Sequence, residues 1–281
     1  MHKATASGTA AILATFLGSI AEPYLVFWRH RQLLAVTVKQ VLRGRYAGSL
    51  LGLAWLVVGP LILLSLYALL YSVIYRIQPA GMNTRDYILY IFAGLVPFIA
   101  FGQALAAGSN ALVADRALFL NRLFPAELVP AKEVLAAGTV ILVGGGLILI
   151  IKTLLGEVSW TWLLLPPILL LLAMMAMGVV WGLSIANLIV KDVQQLIGYF
   201  IMIILIVSPI AYTPDMVPPA LRFLLYANPF AYYVQSLQCV LVLGRAPPPV
   251  LLGGCVLFAL FSFHGMYRAF NFGKRIIADH I

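Results

Sequence analysis

The sequence predicts an all-α integral membrane protein with six transmembrane helices, an N-terminal amphipathic helix at the membrane interface, and short re-entrant periplasmic helices between spans 5 and 6. Hydrophobic residues make up 63% of the 281 positions and charged residues only 10%, which is too little charge to cover a soluble domain of this length. The apolar residues form continuous runs that can cross roughly 30 Å of hydrocarbon as helices. Alternating segments of about 10 residues, which would indicate spanning strands, do not occur in the sequence.

Six hydrophobic runs each predict one membrane-spanning helix, because polar or Pro/Gly-rich breaks separate them. The spans cover residues 49–75, 87–113, 134–155, 162–188, 196–212 and 250–270. With their connections they define a predicted transmembrane domain over residues 47–281.

The residues before the first span divide into two parts. Residues 1–23 hold a short apolar run behind Lys3 that is similar to a signal peptide. Cleavage there would carry the basic stretch 29–45 outward, so we predict an uncleaved cytoplasmic extension. Residues 24–46 interleave apolar side chains such as Trp28 with cations such as Arg29, which is typical of a helix lying among anionic headgroups. An amphipathic helix packed on the protein itself is the alternative.

The basic residues predict the orientation. Of the 18 Lys and Arg residues, 13 lie on one predicted side and five on the other, the five being Arg76, Arg85, Lys152, Arg222 and Arg245. The positive-inside rule therefore places both termini in the cytoplasm. Because the cations flank hydrophobic runs, the net charge of +9 indicates membrane orientation rather than nucleic-acid binding. The two cysteines form no CxxC pair, so neither a disulfide framework nor a metal site is predicted.

The sequence contains no motif that would supply energy or catalysis. No GxxxxGK[ST], HExxH or GxSxG occurs, so no cofactor is expected in this chain. No charged residue falls near the middle of a predicted span, which disfavours a proton- or sodium-driven transporter. A transporter of this kind needs its energy from another subunit.

The connection 114–133 is the first candidate site. Leu118, Phe119 and Phe124 form an apolar stripe beside charges, which predicts a short cytoplasmic helix held by a soluble partner. Pro125 and Pro130 would bound that helix. An ordinary solvated loop is the alternative.

The long outer connection 213–249 is the second candidate. Its aromatic content is too high for a solvated linker, and proline pairs break it into two pieces. Two short helices that dip into the outer leaflet would satisfy their backbone groups without spanning. The residues assigned to these periplasmic re-entrant helices are Phe223, Tyr226, Asn228, Pro229 and Tyr232.

Aromatic side chains form the third candidate. Tyr67, Tyr71 and Tyr75 recur every four residues and share one helix face, and Phe98 and Tyr212 add to the supply. Aromatic faces stack on sugar rings, so these residues are candidates for lining a glycan channel. Interfacial belts and core packing are the alternative roles.

Five short segments give the sequence a resemblance to type-2 ABC exporter permeases, and within them to the polysaccharide exporters for O-antigen, capsule or teichoic acid. They are RGRYAGSLLGLAW at 43–55 followed by GPL at 59–61, NRLFPAE at 121–127, KDVQQ at 191–195, SPI at 208–210 and NPF at 228–230. Their order and spacing, from about Gln32 to the C-terminus, carry the resemblance.

The resemblance implies a homodimer in the bacterial inner membrane, paired with two copies of a separate ABC ATPase that holds ATP and Mg. The implied contacts with that ATPase are Asp115, Arg116, Arg122, Phe124, Pro125 and Glu127. The chain itself would be a non-hydrolytic permease subunit that exports a lipid-linked polysaccharide among membrane lipids. The sequence leaves open whether the permease also has a periplasmic export partner.

Two other functions remain as alternatives. The first is an ABC exporter of a drug or a small lipid. The second is an integral-membrane glycosyl or phosphoglycosyl transferase, which would need acidic residues grouped at the membrane surface. The outer acidic residues Asp86, Glu157 and Asp215 lie in separate loops, which disfavours that enzyme.

Overall fold

The computed structural model describes residues 21–74, 82–119 and 124–278, and over these ranges the chain is helical with no strand. The predicted all-α class is therefore confirmed. Helix α1 covers residues 21–29 and α2 covers Arg31–Arg45, with a turn at His30 between them. The predicted interface segment is thus helical but broken into two pieces. Residues 1–20, most of the predicted extension, lie outside the described ranges.

Nine further helices follow within the described ranges. In chain order they are α3 (Trp55–Leu69), α4 (Thr84–Ala114), α5 (Arg116–Phe119), α6 (Leu128–Leu154), α7 (Leu165–Ile189), α8 (Val193–Val207), α9 (Phe223–Ala227), α10 (Pro229–Leu241) and α11 (Pro249–Ala278). A π-helical turn, Leu70–Ile74, extends α3, and a 3-10 turn, Trp160–Leu164, leads into α7. Among the described residues, α4, α6 and α11 are long and apolar enough to cross a membrane. So are α3 with the 3-10 turn before it, as Gly52–Leu69, and α7 with its own, as Trp160–Ile189. Helix α8 is apolar but shorter, with 15 residues.

Helix α4 forms the centre of the bundle. Most of its length is buried, and it packs on α6, α7 and α10. Helix α11 packs along α7, where Gly178 allows a close approach: a Cβ atom at this position would overlap the backbone of Ser262. The fully buried Trp181 lies one turn further along α7 and contacts the rings of Phe263 and Tyr267 of α11.

The predicted fifth span, 196–212, is helical only as far as Val207. Ser208 has an extended backbone (φ −82°, ψ 139°), as expected for the residue before Pro209, since the proline ring clashes with a helical neighbour. The apolar run continues to Tyr212, which is why hydropathy alone extended the span. Residues 208–212 are irregular.

Charged side chains collect at the two ends of α6. At one end Lys132 Nζ lies 2.6 Å from Asp115, and at the other Lys152 Nζ lies 2.6 Å from Glu157. The two lysines are twenty positions apart, which corresponds to a helical rise of about 30 Å, the thickness of a bilayer core. The end with Lys132 is the one that the sequence predicts to be cytoplasmic, and we call it the inner end and the other the outer end.

Helices α3 and α8 lie at the edge of the bundle. Within the described chain α3 has no buried residue, and α8 buries only Ile197 and Ile204. Apolar side chains such as Leu196 and Ile206 are about two-thirds exposed, at 63% and 69%. Large exposed apolar faces indicate contact with lipid or with another protein.

Candidate functional site

The predicted coupling segment begins where α4 ends, and its first two charges have different surroundings. Asp115 follows the last residue of α4 and accepts a hydrogen bond of 2.6 Å from Lys132 Nζ. The Lys132 side chain is only 7% exposed, so Asp115 neutralises a buried cation. Arg116, the first residue of α5, is exposed. Arg122 lies outside the described residues.

Phe124 and Glu127 are buried inside the chain rather than presented to a partner. Glu127 is 6% exposed, and its carboxylate accepts a hydrogen bond of 2.5 Å from Lys274 Nζ of α11. Its backbone carbonyl accepts a hydrogen bond of 2.9 Å from the indole of Trp181. Phe124 is 9% exposed and belongs to the hydrophobic core. Glu127 therefore ties the segment to α7 and α11, and Phe124 anchors it in the core.

Pro130 does not bound the predicted short helix, so that part of the prediction was wrong. Pro130 is the third residue of α6, where the backbone N–H has no partner inside the helix and a proline therefore costs no hydrogen bond. Pro125 is half-buried and precedes the start of α6 at Leu128. The separate helix in this connection is α5, a single turn.

Three tyrosines form a ring-to-ring series that we call the tyrosine ladder: Tyr67, Tyr71 and Tyr87. The rings of Tyr67 and Tyr71 are stacked with centroids 5.9 Å apart, and Tyr71 meets Tyr87 edge-on at 5.7 Å. Tyr67 and Tyr71 are half-buried, so part of each ring faces outward from this chain. Tyr75 lies outside the described residues. The ladder places two of the three predicted tyrosines on one partly open surface.

Phe98 and Tyr212 do not join the ladder. Phe98 is 8% exposed and packs edge-on against Phe230 of α10 at 6.3 Å, so it is a core residue. Tyr212 is half-buried, and its hydroxyl donates to the Val207 carbonyl at 2.8 Å. It thereby satisfies a backbone group that the early end of α8 leaves free.

Side chains from three elements hold the irregular segment 208–212, and sequence reasoning missed two of them. Gln238 Nε2 of α10 lies 3.1 Å from the Pro209 carbonyl, and the hydroxyl of Tyr87 donates to the Ala211 carbonyl at 2.7 Å. Asn228 Nδ2 donates to Ser208 Oγ at 2.8 Å. A buried Gln among apolar residues was the available signal for Gln238, because buried amides need partners.

The outer connection contains two short helices, as predicted, but they differ in burial. In α9, Phe223 and Tyr226 are exposed at 61% and 63%. Helix α10 is mostly buried against α4, α7 and α11. Asn228 separates them: its side chain accepts a hydrogen bond from the Phe230 amide, and Pro229 occupies the first position of α10, where its fixed φ suits a helix start. The hydroxyl of Tyr232 donates to the Tyr226 carbonyl at 3.0 Å, linking the two helices. Their depth in the membrane stays a prediction.

Asp86 and Glu157, two of the outer acidic residues that the sequence predicts to lie apart, belong to one cluster of ion pairs. We call this cluster the outer polar network, and its members are Arg85, Asp86, Lys152 and Glu157. Lys152 Nζ lies 3.2 Å from Asp86 and 2.6 Å from Glu157, and Arg85 lies 2.5 Å from Glu157. The hydrogen bond from Lys152, together with the charge of Arg85, lowers the pKa of Glu157 below its usual range. Each carboxylate is thus paired with a cation, and no group of three potential metal ligands occurs in the part of the chain that the structure describes.

Comparison with known proteins gives consistent matches over most of the chain. The family model described as "ABC-2 type transporter" matches residues 31–242. The O-antigen export system permease protein RfbA of Myxococcus xanthus is 25% identical over 223 residues, which cover 78% of this chain and 84% of that protein. A protein of the same name from Klebsiella pneumoniae is 26% identical over 207 residues, 73% of this chain and 78% of its own length.

Proposed function

This chain belongs to the ABC-2 type transporter family as a membrane permease subunit, and from that premise we propose that it exports a lipid-linked polysaccharide of the O-antigen or capsule type. The observation that carries the substrate is the similarity to two permeases named for O-antigen export, which extends over about three quarters of the chain. The tyrosine ladder adds chemical support, because partly exposed aromatic faces stack on sugar rings.

The proposed topology has six crossings with both termini in the cytoplasm. Five long helices supply five of them. Helix α8 has 15 residues and a length of about 22 Å, and the braced segment 208–212 completes the sixth crossing. Irregular backbone is tolerated at membrane depth where protein groups satisfy it, which Gln238 and Tyr87 do.

A separate ABC ATPase, in two copies, supplies the energy. This family pairs its permeases with such ATPases, and the present sequence contains no P-loop. The exposed part of the coupling segment, Arg116 and the rest of α5, is the proposed ATPase contact. Glu127 transmits the contact inward through its bonds to α7 and α11, and Phe124 does so through its place in the core.

A homodimer accounts for the exposed faces at the edge of the bundle. Helices α3 and α8 bury little surface within one chain, and a second copy placed against them would cover apolar area. The half-buried rings of Tyr67 and Tyr71 lie on α3 and its π-helical extension. In the proposed dimer they line the polysaccharide path between the subunits.

Deletion of the gene in its host tests the proposal. We expect lipid-linked polysaccharide to accumulate on the cytoplasmic side, with surface polysaccharide lost, and expect both defects to be reversed by the wild-type gene. Normal surface polysaccharide in the deletion strain, together with altered tolerance to drugs, would refute the substrate and favour the drug-exporter alternative. An apolar cavity of about 510 Å³ between α4, α7, α8 and α11 is the feature that would fit such a compound.

A further inference from the structure

The third ring of the tyrosine ladder takes part in two different sets of contacts. Tyr87 is buried, and its ring meets that of Tyr71 edge-on, with the centroids 5.7 Å apart. At its other end, the hydroxyl of Tyr87 donates to the Ala211 carbonyl at 2.7 Å. Tyr87 therefore connects the ladder to the irregular segment 208–212, which follows the last residue of α8.

Side chains of the neighbouring helices hold three successive carbonyls of the irregular segment. Gln238 Nε2 of α10 lies 3.1 Å from the Pro209 carbonyl and 3.3 Å from the Ile210 carbonyl. The Tyr87 hydroxyl of α4 holds the next carbonyl, that of Ala211. Each of these bonds adds only a small net stability, so the segment can exchange them while α4 and α10 stay in place.

Polar groups that lack partners indicate a second arrangement of the segment. Gln238 is fully buried, and its Oε1 atom accepts no hydrogen bond from any described residue. The backbone amides of Ala211 and Tyr212 donate to no backbone carbonyl in the described part of the chain. A buried acceptor without a donor is unfavourable. A shift of the segment that brings one of these amides to Oε1 satisfies both groups.

The half-buried part of the ladder is where a ligand acts on this element. The rings of Tyr67 and Tyr71 are stacked with centroids 5.9 Å apart, and both are accessible in part. A sugar ring that stacks on them favours the ring positions that give it the most contact. A ligand changes a conformation only through different contacts in the two states. The edge-on contact of Tyr71 with Tyr87 carries such a difference to the irregular segment.

We propose that the irregular segment is a hinge at the outer end of α8, and that a sugar ring stacked on the tyrosine ladder resets it. Tyr87 is the positioning residue. In the present arrangement its hydroxyl holds the Ala211 carbonyl. A stacked sugar turns the Tyr87 ring, and that bond is exchanged for one from a segment amide to Gln238 Oε1. This inference rests on the proposed function and adds that the exported polysaccharide itself sets the outer end of α8.

The test is hydrogen exchange of the irregular segment in nanodiscs that hold the permease and its ABC ATPase. It is measured with and without the lipid-linked polysaccharide extracted from the deletion strain. In wild type the polysaccharide should slow exchange of the Ala211 and Tyr212 amides about threefold to tenfold, the effect of one added hydrogen bond. Tyr71→Ala should show no response, because the sugar loses its contact with Tyr87. Tyr87→Phe should exchange slowly in both conditions, because the bond that holds the present arrangement is gone.

Tyr212→Phe is the matched control. It removes a hydroxyl from the same segment, one that donates to the Val207 carbonyl at 2.8 Å and belongs to no ring pair of the ladder. This variant should respond to polysaccharide as wild type does. Export into liposomes gives a second readout. Tyr87→Phe should lower the maximal rate about threefold at an unchanged half-saturating polysaccharide concentration, because its ring remains. Tyr71→Ala should raise that concentration instead.

Several outcomes would overturn the inference. Unchanged exchange in a wild-type complex that exports the polysaccharide removes the hinge and leaves the proposed function intact. Loss of the response in Tyr212→Phe as well as in Tyr87→Phe assigns the Tyr87 hydroxyl to bracing alone. Should Tyr87→Phe fail to fold, a response that persists in Tyr71→Ala still refutes the connection through the ladder. A wild-type complex that neither exports nor binds the polysaccharide removes the proposed function, and the hinge with it.

Discussion

Replacement of Lys274 by Met removes the only described ion-pair partner of a carboxylate that the fold shields from water. The Glu127 side chain is 8% exposed and the Lys274 side chain 34%, with Nζ and Oε1 2.5 Å apart. Removing one partner of a fully buried pair costs about 3–5 kcal/mol. Because Lys274 is partly exposed, the pair is weaker than that limit, and we expect Lys274→Met to lower the free energy of unfolding by about 2 kcal/mol.

Removing the charge of Glu127 instead should lower the free energy of unfolding by less. This difference between the two single variants is the sharper part of the prediction. Glu127→Gln leaves the ammonium of Lys274 unpaired, but its exposure lets it keep water as a partner. We therefore expect a loss of only about 1 kcal/mol. The double variant Glu127→Gln, Lys274→Met leaves no unpaired charge and should be more stable than Lys274→Met alone.

Thermal unfolding of the detergent-purified permease measures all three variants. A difference of about 1 kcal/mol corresponds to about 2–4 °C for a protein of this size class, so Lys274→Met should melt below Glu127→Gln by that interval. Equal melting temperatures for the two single variants, or a double variant less stable than both, would refute the reasoning from burial.

Three further predictions concern other parts of the chain. Gly178→Ala should destabilise the permease by about 1–3 kcal/mol in thermal unfolding, because the added methyl group overlaps the backbone of α11. The control Gly138→Ala should not destabilise it, because the added methyl group meets no atom within 4 Å. Equal effects of the two substitutions would contradict the close approach of α7 and α11. The lowered pKa of Glu157 means that its ion pairs add stability above the usual glutamate pKa of about 4.3 and lose it as the pH falls below that value. Between about pH 5 and about pH 2.5, the melting temperature should therefore drop more for wild type than for Glu157→Gln. Parallel curves over that range would count against the network. Tyr71→Ala should reduce polysaccharide export about threefold to tenfold, which corresponds to the loss of one aromatic stacking interaction. The amount of folded protein in the membrane should stay unchanged, and Tyr71→Phe should export at close to the wild-type rate. Equal loss of export and of folded protein would assign the ladder to packing alone.

Hydropathy was sufficient to predict the five long helices, because an apolar run in lipid must satisfy its backbone polar groups by hydrogen bonds within the helix. The predicted second span, 87–113, agrees with α4 (Thr84–Ala114). The end of the fifth span was not predictable from hydropathy, since residues after Ser208 stay apolar while Pro209 ends the helix. Local backbone chemistry overrode the hydrophobic pattern at that point.

The burial of Glu127 was not predictable from its surroundings in the sequence. Its partner Lys274 is 147 positions away, and a charged residue in a connecting segment is usually solvated. The same applies to Asp86, in the first turn of α4, and Glu157, in the connection after α6, which share Lys152. Ion pairs between distant segments depend on the packing of the helices, which a single sequence does not specify.

The tyrosine ladder was half predicted. The four-residue spacing placed Tyr67 and Tyr71 on one face, and their rings are stacked. The third ring, Tyr87, comes from α4 across the bundle, and helix periodicity cannot identify a neighbour on another helix.

ATP-dependent movement of lipid-linked polysaccharide across liposomes that contain this permease and its ABC ATPase subunit tests the central claim most directly. We predict that the polysaccharide becomes accessible on the far side only when both subunits and hydrolysable ATP are present. Movement at the same rate without the ATPase or with a non-hydrolysable nucleotide, or no movement by a complex that still hydrolyses ATP, would contradict the account.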